Sequence, residues 1–134
     1  MRCAPLALLA LVVLASEPTN ARVPLPEVPS TESEMRQFLT SLETVIAAQL
    51  EERSALVSET EAAELRAEYD EWRRARNADC AKRGRQDPDP LAELRCLATD
   101  SRRFYVDGEL RLGELEAVQD EIRMRPEARR ITSP

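Results

Sequence analysis

From Met35 onward, apolar residues return every three or four positions: Met35, Phe38, Leu39, Leu42, Val45, Ile46 and Leu50. That spacing draws one stripe along a helix and predicts α-structure from just after Thr31 towards Val57. Thr31 and Glu34 stand at capping-box spacing, where each side chain satisfies a free N–H of the first turn. Ser58 and Glu61 repeat the spacing and mark a second helix. Along it Ala62, Leu65, Tyr69 and Trp72 share a face that Arg76 and Cys80 continue. Glu59 and Glu61 in its first turn, with Lys82 and Arg83 near its last, suit the helix dipole, and Gly84 is the expected stop. Asp87-Pro88-Asp89-Pro90 cannot prolong that helix. Asp89 is expected to cap a third, with Pro90 in its first turn and Leu91, Leu94, Leu97, Phe104 and Val106 as its stripe. Asp107-Gly108 predicts a break. Leu112, Leu115, Val118 and Ile122 then resume helical spacing around Gly113, as a bent continuation or a weaker fourth helix over 109–125. No strand-like alternation occurs, so the expected fold is all-α, a small three-helix or four-helix bundle.

The segment before this pattern has another character. Met1-Arg2 is a short positive start, and Ala4 to Ala15 is almost uninterrupted apolar sequence, too short for a stable membrane span. Residues 1–21 therefore read as a secretory signal peptide. Thr19-Asn20-Ala21 offers a cut before Arg22, and Ala15 an earlier one before Ser16. Cys3 precedes the apolar stretch and no cysteine follows at a cleavage position, so a lipid anchor is not expected. Residues 22–30 carry three prolines and read as an extended, mobile lead-in. The arginine-rich tail 126–134, opened by Pro126, reads as disordered. The helical domain proper is 31–108. The product is expected in the periplasm or secreted, with no stable membrane anchor after cleavage.

Composition narrows the chemistry. The net charge is −6, and Lys82 is the sole lysine, so nearly every positive charge is arginine. An acidic chain of this kind is not expected to bind nucleic acid. It has no histidine, which removes imidazole bases, Ser/His and Cys/His pairs, and histidine metal sites. No cofactor or metal is expected. Adjacent carboxylates such as Asp70 and Glu71 point apart on a helix, so no acid/base pair and no enzyme are inferred.

Once the leader is set aside, Cys80 and Cys96 remain. In an exported protein such a pair reads as a structural disulfide, here joining the end of the second helix to the start of the third. A redox pair would favour Cys-x-x-Cys spacing, and a metal site would need further soft ligands. A small bundle with few aromatics gains from such a staple.

Leu65, Trp72, Arg76-Asn77 and Cys80, then a loop with glycine and proline, then Cys96-Leu97 followed by Ser101 and arginines, resemble the LprI-type lysozyme inhibitor domain. The likeness covers roughly Met35 to Val106, and Glu34-Met35 is similar to the family's Glu-Met pair. Asn77 stands where the family usually has Asp, Ser101 where it has Thr, and Arg103 falls one place short of the family arginine. Phe38 occupies the position of a further cysteine in many members. The resemblance implies a small exported helical inhibitor of lysozyme.

A basic lysozyme would be steered to an acidic protein by long-range charge. The candidate surface is Glu51, Glu52, Glu59, Glu61, Glu64, Glu68, Asp70 and Glu71, whose plain alternative is a solvated helix face. Trp72 is expected in the core. Arg76, one turn on, is placed to stack on the indole or bond the turn between helices, and Asn77 to cap or tie down the same region. The competing function is a cell-envelope interaction or structural module without lysozyme activity.

Overall fold

A computed structural model describes residues 25–125, and the expected signal peptide and disordered tail lie outside the described residues. Three helices follow one another: α1 (Glu32–Ala55), α2 (Glu59–Gln86) and α3 (Ala92–Met124). The described residues contain no strand, so the fold is the expected all-α bundle. Short turns make successive helices antiparallel neighbours, and each helix packs on both others.

Both sequence-level caps are present. Thr31 accepts from the Glu34 N–H, and Ser58 and Glu61 complete a reciprocal capping box at the start of α2. The stripes bury Met35, Leu42, Ile46 and Leu50 of α1, Ala62 and Cys80 of α2, and Leu94, Cys96, Ala98 and Leu112 of α3. Val45 and Val106 sit at the edges of their stripes and are exposed.

Three local expectations need correction. Gly84 does not stop α2, which runs two residues further to Gln86. Asp89 does not cap α3 directly, because Leu91 holds the cap position with no side-chain bond. Instead the turn is built from two consecutive aspartate turns, Asp87 accepting from the Asp89 N–H and Asp89 from the Leu91 N–H, both at 2.9 Å. Arg95 closes on the second Asp89 oxygen at 2.6 Å. The Leu91 N–H, and after it Arg95, hold the Asp89 carboxyl below the usual aspartate range.

The third correction is larger. Asp107-Gly108 is not a break: α3 passes through it without interruption, and 109–124 continue the same helix rather than forming a fourth. Gly108 is there for close approach. The buried Gln49 amide of α1 lies where a Cβ would be, donating to the Tyr105 carbonyl at 3.0 Å and to Glu109 at 2.9 Å. Gly113 faces open space. The two glycines therefore give opposite outcomes. Gly108→Ala must displace Gln49 and is expected to cost about 1–3 kcal/mol. Gly113→Ala is expected to stabilise by about 0.5–1 kcal/mol through helix propensity alone. Urea unfolding of the two variants separates them, and equal effects would contradict this account of α3.

The lead-in has no regular secondary structure over its described part, and it is tied down there. Arg102 of α3 donates to the carbonyls of Pro26 at 3.0 Å and Leu25 at 3.3 Å. At the other end Gln119 reaches the Leu56 carbonyl in the α1–α2 turn. The last turn of α3 continues past that point, which explains why Ile122 and Met124 are exposed despite their helical spacing.

Candidate functional site

Trp72, Arg76, Asn77 and Ser101 form one connected cluster that runs from buried Ser101 and Arg76 out to exposed Asn77. Arg76 is 6% exposed. Its guanidinium donates to Ser101 Oγ of α3 at 2.7 Å, to Asn77 Oδ1 at 2.8 and 3.1 Å, and to Glu43 of α1 at 3.4 Å. The same group lies over the Trp72 ring, 5.0 Å from its centroid. Trp72 is half-buried and stacks on Phe104, with centroids 3.9 Å apart, and Tyr69 packs against both rings. Of the two roles open to Arg76, stacking on the indole is realised, and its hydrogen bonds go to Asn77 on its own helix, to α1 and to α3 rather than to the turn. A fork of rigid donors suits this better than a lysine, because a single head group cannot reach all these acceptors. The node fastens α1, α2 and α3 together through Glu43, Arg76 and Ser101.

The disulfide is formed as expected, joining Cys80 and Cys96 with Cα atoms 5.4 Å apart. Asp100 lies 3.8 Å from both sulfurs. These three residues are close enough together for a metal. The sulfurs are committed to each other, however, and a disulfide offers no thiolate ligand. The other motif positions are peripheral: Leu97 is half-buried, and Arg103 is exposed beside Asp100 at 3.8 Å.

All eight acidic candidates are exposed, but they do not form one patch. Glu51 pairs with Arg66 at 3.5 Å, and Asp70 lies by Arg73 and Arg74. Glu61, Glu64 and Glu68 instead share a face of α2 beside the half-buried Leu65 and are joined there by Glu114 of α3. On the inner wall of that groove stands Arg53, buried and with no hydrogen-bond partner for its Nε. Burial first, then the like charge of Arg111, lowers its pKa below the usual arginine value, and Glu68 opposes them.

No family model, curated protein or solved structure matches the chain. The reading of this surface therefore rests on its own geometry. Sequence reasoning passed over Glu43, Gln49, Arg53 and Arg102. Gln49 and Arg53 had a signal, since both fall in register with Leu42, Ile46 and Leu50 on the buried stripe of α1. A polar side chain in an apolar register is one that the fold must satisfy or use.

Proposed function

We propose that this protein is an exported, non-enzymatic binding module that engages a basic lysozyme through its acidic helices. The observation that carries this reading is the exposure of Glu51, Glu52, Glu59, Glu61, Glu64, Glu68, Asp70 and Glu71 together on a chain of net charge −6. Exposed charge of one sign raises encounter rates with an oppositely charged partner more than it raises final affinity. The motif residues Trp72, Arg76, Asn77 and Ser101 support the reading indirectly: they lock the helices whose outer faces would meet the partner. The absence of histidine from the sequence and the separation of Asp70 from Glu71 around the helix favour binding over catalysis.

The test is a titration of the purified protein against several lysozymes, following clearing of a cell-wall suspension. Dose-dependent protection is expected. The association rate should fall at least several-fold as salt is raised from about 50 to about 500 mM, because the Debye length shrinks over that range. No protection at high molar excess would sink the lysozyme reading and leave the fold untouched. Recovery of a different envelope protein by cross-linking in that case would favour an envelope interaction module.

A further inference from the structure

Where α1 ends against α2 and α3, a groove of about 520 Å³ opens at the surface. Val57, Leu65, Leu115 and Val118 supply its apolar lining. Glu61, Glu64, Glu68 and Glu114 stand around it. Arg53 and Arg111 complete the lining, and Arg53 is only 5% exposed.

We propose that this groove is the docking site for an extended segment of a basic partner protein. One apolar side chain of the segment seats against the apolar lining, and flanking lysines or arginines meet the four carboxylates. The proposal rests on the reading of the protein as a module for a basic partner and narrows it from a diffuse acidic surface to one groove.

The charges choose among occupants. A free anion would satisfy Arg53 and Arg111 but must pass four carboxylates. A second copy of this chain, itself at −6, brings acid to acid. A basic peptide segment meets the four carboxylates with its positive side chains and the apolar lining with one apolar side chain. Residues 126–134 of this chain contain Arg129, Arg130 and Ile131, which have the same chemistry in cis, so the test includes them as a competitor.

The test compares two charge-reversed variants of the full chain for lysozyme binding by titration calorimetry. Glu64→Lys with Glu114→Lys is expected to weaken binding by at least about 10-fold through like-charge repulsion. Asp79→Lys with Asp107→Lys changes net charge equally at exposed positions outside the groove and should weaken it far less. Equal loss in the two charge-reversal pairs overturns the groove while leaving lysozyme binding intact.

If the parent binds no lysozyme, the earlier reading fails by itself. The groove is then judged with the synthetic peptide acetyl-Arg-Arg-Leu-Arg-Arg-amide. Saturable shifts of the Leu65, Leu115 and Val118 methyl resonances support the proposal, and their absence overturns it. Shifts of the same methyls on deleting residues 126–134, with no peptide added, assign the groove to the chain's own tail and overturn it as well.

Discussion

Replacing Cys80 and Cys96 together by serine is expected to remove about 3 kcal/mol of stability, the chain-entropy value for closing a loop of this length. The bond spans a sequence separation of 16 and crosses the Asp87–Pro90 turn. A loss of that size is a large fraction of what a small bundle has, and corresponds to melting about 10–20 °C lower. Both sulfurs are buried, so the serines leave two small hydroxyls in the interior, one of them within reach of Asp100. Thermal unfolding followed by far-ultraviolet circular dichroism measures the effect, with the reduced parent as a second reference. A change below about 1 kcal/mol would show that the paired aspartate turns already hold α2 to α3 without the covalent bond.

The second large effect is at Arg76. Arg76→Met keeps most of the volume under Trp72 but removes every hydrogen bond of the node. The penalty is set less by the bonds lost than by what is left behind. Ser101 is 0% exposed and would keep a hydroxyl with no partner, whereas the half-buried Glu43 turns to water. We expect a loss of about 3 kcal/mol for Arg76→Met and about 1 kcal/mol for Ser101→Ala. Arg76→Lys should fall between them, since it retains charge but not the fork. Urea unfolding of the singles and the double variant yields their coupling, which should be at least about 0.5 kcal/mol for residues in direct contact. Strict additivity would mean that Arg76 acts through Asn77 and Trp72 alone.

Much of this architecture is local and therefore readable from the chain. The Thr31 cap, the Ser58–Glu61 capping box, the apolar stripes and the Asp-Pro-Asp-Pro turn depend on residues a few positions apart, and they fall where spacing puts them. What was misread depends on distant partners. Gly108 looks like a helix breaker until Gln49, some 59 positions earlier in the chain, is seen filling the space of its missing side chain. The node shows the same division. Trp72, Arg76, Asn77 and Ser101 stand out in the sequence, but Glu43 belongs with them only because α1 packs beside α2 at that height. The acidic run is divided by helix geometry. Glu61, Glu64 and Glu68 recur at three- and four-residue steps and share a face, while Asp70 and Glu71 turn elsewhere. Glu114, more than 40 positions away, completes their group.

The Cys80–Cys96 bond also shapes the route by which the chain folds. It joins α2 to α3, whereas α1 is held by packing, by the bonds of Gln49 and Glu43 and by the Glu51–Arg66 ion pair. In the oxidised chain, the ends of α2 and α3 stay tethered even when unfolded, so the loop-closure entropy of their hairpin is already met. The remaining search is the docking of α1 along α3, the one pairing in the bundle between helices not adjacent in sequence. That step sets the contact order of the fold, and with it the pace at which the bundle assembles.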